Sequence, residues 1–229
     1  MRNWLFFILL LGLTACSGIQ IPREIQMILN RVTPQLKQQN LVIGDPVFIR
    51  IFKEENILEL WMKGEDSARY RLVKTYSICN WSGTLGPKFF EGDRQAPEGF
   101  YSTNLDRLKP DSKYHLAFNI QYPNQYDLAM GKTGSAIMVH GSCVSEGCYA
   151  MSDDQIEEIY FLVERALMAG QGEVPIHIFP FKMVPDRIIP EFASPNFKFW
   201  MNLREGYDYF ERVGVPPKWT VENERYVFY

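Results

Sequence analysis

The chain has 229 residues, of which 46% are hydrophobic and 22% are charged, and its formal net charge is −3. This length and apolar content fit one globular domain with a full hydrophobic core and a small appendage. The slightly acidic balance argues against a nucleic-acid partner, because proteins that bind nucleic acids carry a basic face.

The N-terminus has the features of a secretion signal. Arg2 precedes an apolar run from Trp4 to Leu13, which is too short to span a bilayer. The tetrapeptide Leu-Thr-Ala-Cys that ends at Cys16 resembles the lipobox of bacterial lipoprotein signals. The resemblance implies cleavage after residue 15 and a lipid on the sulfur of Cys16. An ordinary signal peptide with a chance cysteine is the alternative.

On either interpretation the mature chain works outside the cytoplasm. Lipoproteins that stay in the inner membrane often carry Asp after the lipidated cysteine, whereas this chain has Ser17. We therefore expect a periplasmic protein held to a membrane by its lipid, with the outer membrane favoured.

The hydrophobic pattern changes along the chain from helical to strand-like spacing. Residues 22–39 have a helical period that Pro34 interrupts, which predicts one helix or two short ones. Strands are predicted at 47–52, 57–61, 69–78, 100–103, 115–120, 136–139 and 175–181. A capping-box pattern at 152–155 starts a helix that ends at Gly170. Helices at 196–203 and 207–213 and an edge strand at 226–229 complete a mixed, mainly β fold.

The segment from His140 to Met151 is the most informative part of the sequence. It holds one of three histidines and two of four cysteines, Cys143 and Cys148, together with two glycines. A thiolate is the nucleophilic form of cysteine, and a neighbouring base or an electropositive site favours it. A helix N-terminus directly after the second cysteine would favour negative charge there. The segment therefore predicts a cysteine nucleophile at a strand–loop–helix junction.

The number of cysteines favours one disulfide and one free thiol in the mature chain. Cys79, Cys143 and Cys148 remain once Cys16 is set aside. We favour a Cys79–Cys143 bridge, although the sequence does not fix the pairing. His140, Cys143 and Cys148 could instead supply three zinc ligands, but their spacing is poor and no fourth ligand is evident.

The other two histidines carry no clear catalytic signal. His115 is expected to be a packed or surface residue rather than a second base. His177 alternates with Ile176 and Ile178, so it is predicted to face solvent.

Two segments resemble the active-site signature of the L,D-transpeptidase catalytic domain family. They are Ile137–Gly141, where a strand ends in His-Gly, and Ser145–Met151, which contains Ser-Glu-Gly-Cys. Ala96–Tyr101 is similar to that family's Thr-Pro-x-Gly-x-Phe segment. The Gram-negative murein branch of the family is matched at 86–88, 108–112, 122–124, 126–127 and 206–210.

The resemblance implies an L,D-transpeptidase-type β-sandwich with a few helices around the active site. It also implies acyl transfer on the stem peptides of peptidoglycan, with no metal and no cofactor. The implied organisation is a signal peptide at 1–15, a tether and helix at 16–43, the catalytic domain at 44–190 and a C-terminal helical extension packed on it at 191–229.

The family's roles transfer to this chain by position. Cys148 would be the nucleophile, His140 the general base, and the carbonyl of Gly141 would orient the imidazole. The amides of Gly147 and Cys148 would form an oxyanion hole, where one donor contributes roughly 10²–10³ in rate. Cys148 would attack the carbonyl at the L-centre of meso-diaminopimelate and form a thioester. An amine acceptor then gives a cross-link, and water gives hydrolysis.

Two departures from the family pattern bear on the acceptor. Glu146 replaces a histidine, and Ala150 stands where the family often has arginine. In the closest branch the thioester is associated with hydrolysis, which releases the peptidoglycan-bound outer-membrane lipoprotein or trims tetrapeptide stems. A peptidoglycan-binding lipoprotein without catalysis is the non-enzymatic alternative.

Four residues are candidate contacts to the substrate. Lys88 and Arg94 lie in a loop that could approach the site, and either could meet a substrate carboxylate. Tyr126 and Asp127 belong to a segment that the branch shares. A solvated surface position is the alternative for each of them.

Overall fold

A computed structural model describes residues 21–229 of the chain. The predicted signal peptide and the lipidation site Cys16 lie outside these residues. Within 21–229, no helix is long and apolar enough to cross a membrane.

The described chain contains twelve strands and five α-helices. The helices are α1 (Arg23–Gln38), α2 (Gln125–Ala129), α3 (Asp153–Met168), α4 (Pro185–Ile188) and α5 (Phe197–Val213). The strands are β1 (Val47–Phe52), β2 (Ile57–Met62), β3 (Arg71–Ser77), β4 (Asn80–Trp81), β5 (Gly99–Thr103), β6 (Leu108–Lys109), β7 (Ala117–Asn119), β8 (Met138–His140), β9 (Tyr149–Ala150), β10 (Val174–Phe179), β11 (Trp219–Glu222) and β12 (Arg225–Phe228). Short 3₁₀ turns occupy Leu105–Arg107 and Ile189–Ala193.

The larger strands form one five-stranded sheet, which we call the scaffold sheet. Its order is β3-β2-β1-β10-β5, and only the β1–β10 pair is parallel. Every residue of β1 is buried, so both faces of the sheet are covered. This explains why its strands are apolar runs rather than alternating ones.

A second five-stranded sheet, the site sheet, is built from short strands in the order β4-β9-β8-β7-β6. It packs with α1 and α3 against one face of the scaffold sheet and encloses the main apolar core. Phe118, Val139 and Tyr149 are fully buried in that core. Burial of side chains of this size stabilises the fold by roughly 1.5–3 kcal/mol each.

The other face of the scaffold sheet is covered by α4, α5 and the β11–β12 hairpin. Phe52, Phe100 and Phe179 from the sheet meet Trp200 and Tyr226 from the C-terminal segment in a second core. The extension predicted at 191–229 therefore contains a hairpin as well as helix. The prediction of a solvent-facing His177 is wrong, because α5 and the hairpin cover that face and leave the residue 2% exposed.

Two predictions about the helices were also wrong, one on the bounds of α5 and one on the cap of α3. The segments 196–203 and 207–213 form one continuous helix, α5, whose Trp200, Leu203 and Phe210 bury one face. The Ser152 side chain does not cap α3. The α1 helix continues through Pro34, held by burial of Ile28, Val32 and Leu36 against the core.

Candidate active site

The parallel pairing of β8 and β9 brings His140 and Cys148 close together. Val139 lies opposite Tyr149 and His140 lies opposite Ala150. Cys148 directly precedes β9, and its sulfur lies 3.4 Å from the backbone nitrogen of Met138, the first residue of β8. His140 ends the same short strand, so the thiol and the imidazole both lie along β8. Ala150, the strand partner of His140, is fully buried.

The imidazole of His140 is held in one orientation. Its Nδ1 lies 2.6 Å from the carbonyl oxygen of Gly141, and since a carbonyl only accepts, Nδ1 donates. In the neutral ring this leaves Nε2 as the proton acceptor. Burial lowers the pKa of His140 below its ordinary value of 6.5, and the bond to Gly141 opposes that shift only in part. His140 is therefore a neutral base at pH 7.

Tyr114 packs against the imidazole ring of His140. Its aromatic ring lies 4.8 Å from the imidazole, and its carbonyl accepts the amide hydrogen of Gly141 at 3.0 Å. A Cβ atom at Gly141 would lie 2.6 Å from the Asp153 carboxylate and 3.0 Å from the Tyr114 carbonyl oxygen, so a side chain there would displace Asp153.

Cys148 is a free thiol in a partly buried position. The backbone amide of Met138 donates to its sulfur at 3.4 Å, and the carbonyl oxygen of Ala136 lies 3.8 Å from it. Burial raises the pKa of Cys148 above its ordinary value of 9.0, more than the Met138 amide and the nearby Lys88 lower it. The resting site therefore pairs a neutral thiol with a neutral imidazole.

The α3 helix begins at Asp153, and strand β9 lies between it and Cys148 in the chain. The Asp153 carboxylate accepts the amide hydrogen of Ser142 at 2.8 Å, and so it fixes the loop after His140. Activation of the thiol by the N-terminus of α3 stays a prediction.

The Gly147 amide is not the free oxyanion donor that the sequence predicted. It donates to the Ser82 hydroxyl at 2.6 Å, and that hydroxyl donates to the carbonyl of Arg94 at 2.7 Å. The amides of Cys148 and Glu146 donate to no acceptor within residues 21–229. These two amides are the donors that remain available to an oxyanion.

A buried ion pair fixes the loop of residues 82–98 that borders the site. Lys53 and Glu98 are both fully buried and lie 3.0 Å apart. The Lys53 ammonium also donates to three carbonyls of the loop, and Glu98 accepts from the amide of Gly86 and the indole of Trp200. Burial lowers the pKa of Lys53, while Glu98 opposes this shift. The pair therefore holds the backbone of residues 82–98 in place through buried polar contacts rather than through apolar packing.

A disulfide between Cys79 and Cys143 joins the turn after β3 to the loop between His140 and Cys148. It agrees with the pairing favoured from the cysteine count. Because the Cys143 sulfur is bonded to Cys79, it cannot serve as the third ligand of a zinc site with His140 and Cys148.

Two of the four candidate substrate contacts have structural roles instead. Asp127 is fully buried and accepts hydrogen bonds from Lys132 and Tyr101, each at 3.0 Å. Tyr126 stacks on Tyr226 with ring centroids 4.5 Å apart. Both predictions are wrong, because these side chains belong to packed cores rather than to an open surface.

The two candidates in the loop lie beside the site but differ in availability. Lys88 is 3% exposed, pairs with Asp93 and donates to the carbonyl of Phe90 at 2.9 Å. Its charge nevertheless lies close enough to lower the pKa of Cys148. Arg94 is exposed, and its carbonyl accepts a hydrogen bond from the Ser82 hydroxyl. Lys88 is therefore a buried, paired cation and Arg94 an exposed one, and a contact from either to the substrate stays a prediction.

Sequence comparison with known proteins identifies the family of this chain. Residues 46–178 match the L,D-transpeptidase catalytic domain, YkuD. The chain is 49% identical over 198 residues to YafK of Escherichia coli strain K12, whose name gives L,D-transpeptidase as a provisional activity. The match covers 86% of this chain and 78% of that protein, and the O157:H7 protein matches equally.

Two solved structures overlap more weakly with the fold. The cell-shape protein Pgp2 of Campylobacter jejuni has a TM-score of 0.47 at 18% identity, covering 83% of this chain and 80% of that one. L,D-transpeptidase 1 of Mycobacterium tuberculosis has a TM-score of 0.33 at 18% identity, covering 58% and 62%. On the sequence matches alone, the chain belongs to the L,D-transpeptidase catalytic domain family.

Proposed function

We propose that this protein is a cysteine acyl-transfer enzyme that acts on the L-centre carbonyl of meso-diaminopimelate in peptidoglycan stems. The observation that carries the proposal is the bond from His140 Nδ1 to Gly141, which leaves Nε2 as a base on β8, the strand beside which the Cys148 thiol lies. A non-catalytic wall-binding protein has no need of this arrangement.

The acylation step uses the neutral pair. The Cys148 sulfur attacks the carbonyl carbon as its proton passes to His140 Nε2. The resulting oxyanion is stabilised by backbone amides, for which Cys148 and Glu146 are the candidates. When the tetrahedral intermediate collapses, the C–N bond breaks, His140 returns the proton to the leaving amine, and a thioester remains.

An amine or water then attacks the thioester carbonyl while His140 takes the acceptor's proton. The C–S bond breaks, and His140 returns that proton to the departing thiolate of Cys148. Transfer to an amine forms a new cross-link in the wall. Hydrolysis is the second candidate outcome, either as an amidase that releases a wall-bound lipoprotein or as an L,D-carboxypeptidase. It is favoured by the exposed carboxylate of Glu146 beside the nucleophile and by the buried Ala150, since these positions lack the family's basic side chains.

Product analysis on purified sacculi separates these outcomes. Wild-type protein is incubated with sacculi that carry bound lipoprotein, and the products are scored for 3–3 cross-links, lipoprotein remnants and tripeptide stems. Acyl transfer predicts new cross-links, whereas hydrolysis predicts remnants or tripeptides without them. Sacculi unchanged by folded wild-type protein would contradict the proposal.

We further propose that the mature chain begins at a lipidated Cys16 and lies in the periplasm on the outer membrane. The motif at residues 13–16 and Ser17 support this proposal. Labelling with a radioactive fatty acid should be lost in Cys16→Ser, and fractionation should place the wild type in the outer membrane. A soluble, unlabelled wild type would contradict it.

A further inference from the structure

A cavity lies outside β5, the edge strand of the scaffold sheet. It has a volume of about 620 Å³ and is bounded by β5, the start of α2 and the C-terminal hairpin. Neither His140 nor Cys148 lines it. Its volume falls within the roughly 300–1,000 Å³ that is usual for small-molecule sites.

His177 lines this cavity, although its ring is almost completely buried. The residue is 2% exposed, and its Nδ1 is buried without a hydrogen-bond partner in the described chain. Its ring lies between Phe48 and Phe100, each with its ring centroid 4.7 Å away. Burial and the neighbouring Arg50 hold the pKa of His177 well below its ordinary range, so the ring is neutral.

The rest of the lining combines apolar rings with neutral polar groups. Trp219 and Tyr229 offer aromatic surface, and Gln125 offers a side-chain amide, while the amide nitrogen of Gln121 already donates to Ser102. Lys218 and Glu173 also line the cavity, so the two opposite charges balance, and the Glu173 carboxylate already accepts from a serine hydroxyl at 2.9 Å. This lining favours a neutral ligand with one apolar face and several hydroxyl or amide groups.

An extended peptide is a poorer occupant, although β5 is the edge of its sheet. A peptide that adds to an edge strand needs the strand's outward backbone groups. The carbonyl of Phe100 already accepts from the Asn124 side chain at 2.8 Å, and that of Ser102 accepts from Gln121 at 3.2 Å. These side chains block strand addition.

We propose that the cavity beside β5 binds N-acetylhexosamine units of a glycan strand. One face of a pyranose ring carries C–H groups that pack on an aromatic ring, while its hydroxyl and acetamido groups match amides and a neutral imidazole. The inference rests on the proposed function, because peptidoglycan is the polymer that carries both these sugars and the stem peptide. The cavity would hold the glycan while Cys148 acts on the stem.

The test is a titration of the inactive full-length Cys148→Ser variant with chitotetraose, a soluble chain of N-acetylglucosamine, followed by NMR. The expected dissociation constant is on the order of 1 mM or tighter. The Trp219 indole and His177 imidazole signals should shift. Trp219→Ala should weaken binding about tenfold, whereas Phe192→Ala, an aromatic control that is 75% exposed and does not line the cavity, should not. If Trp219→Ala does not fold, Gln125→Ala replaces it.

Absence of shifts at Trp219 and His177, or equal binding by the cavity variant, would overturn the inference. Sacculi processing by wild-type protein is measured in parallel. Protein that binds chitotetraose but leaves sacculi unchanged would overturn the proposed function alone. Protein that processes sacculi without binding the sugar would overturn only the glycan site.

Discussion

The two five-stranded sheets of this protein are stabilised in different ways. The scaffold sheet has strands of five to seven residues whose side chains fill apolar cores on both faces. The site sheet has strands of two or three residues, and its geometry depends on a disulfide, the buried Lys53–Glu98 pair and the Ser82 bridge. The catalytic residues therefore lie in the part of the protein where specific polar and covalent links, rather than regular strands, fix the side-chain positions.

The largest effect is expected from removing one partner of the buried ion pair. Lys53→Met leaves Glu98 buried and uncompensated, which should lower the free energy of unfolding by about 3–5 kcal/mol. Urea unfolding measures this, with Lys113→Met as an exposed lysine control. Because the loop of 82–98 loses its anchor, activity per folded molecule should fall as well. An unchanged unfolding curve would show that the pair does not support the site sheet.

Loss of the disulfide should be nearly as costly. The bridge closes a loop of 64 residues, so replacing both Cys79 and Cys143 with alanine should cost about 4 kcal/mol, mainly by freeing the unfolded chain. Thermal unfolding of the double variant, compared with reduced wild type, measures the effect. Equal stability of the variant and the oxidised wild type would contradict the role given to this link.

The pH dependence should report the neutral thiol–imidazole pair. Activity should fall about tenfold per pH unit below the pKa of His140, which lies under 6.5, because the protonated ring cannot accept the thiol proton. Since the pKa of Cys148 lies above 9.0, its alkylation by iodoacetamide should still be accelerating at pH 9. Fast alkylation that does not change between pH 5 and 8 would instead indicate a preformed thiolate–imidazolium pair.

The smallest effect is expected at Ser82. Ser82→Ala removes the partner of the Gly147 amide, and the loss of one such bond costs about 1 kcal/mol. The free energy of unfolding should therefore fall by about 1 kcal/mol. Turnover should fall only slightly, since His140 and Cys148 keep their own contacts. Ser145→Ala is the matched control, because it removes a serine hydroxyl that donates to the Cys148 carbonyl. A loss of activity as large as that of Lys53→Met would show that Ser82 does more than align the loop.

The same contrast explains what the sequence could predict. The scaffold strands at 47–52 and 57–61 were visible from their apolar pattern, and β1 and β2 confirm them. The motif around His140 and Cys148 identified the family because its residue types are unusual. Within the site sheet, β7 and β8 were predicted at 115–120 and 136–139, but strands of two residues such as β4 and β9 carry no periodic signal and were missed.

The remaining misses have a common physical origin in long-range contacts. His177 was assigned to solvent because its strand alternates, but the C-terminal segment covers that face. Asp127 looked like a surface acid until Lys132 and Tyr101 were seen to surround it. The role of Ser82 depends on a partner 65 residues away, which no local pattern reveals.

Formation of the acyl thioester by Cys148 is tested by comparing wild-type protein with Cys148→Ser. Purified sacculi are incubated with wild-type protein or with Cys148→Ser, and the muropeptides are quantified while the unfolding temperatures of both proteins are recorded. If Cys148 is the nucleophile, the wild type changes the muropeptides, Cys148→Ser does not, and the two unfolding temperatures are equal. The same muropeptide change with both proteins would contradict that role.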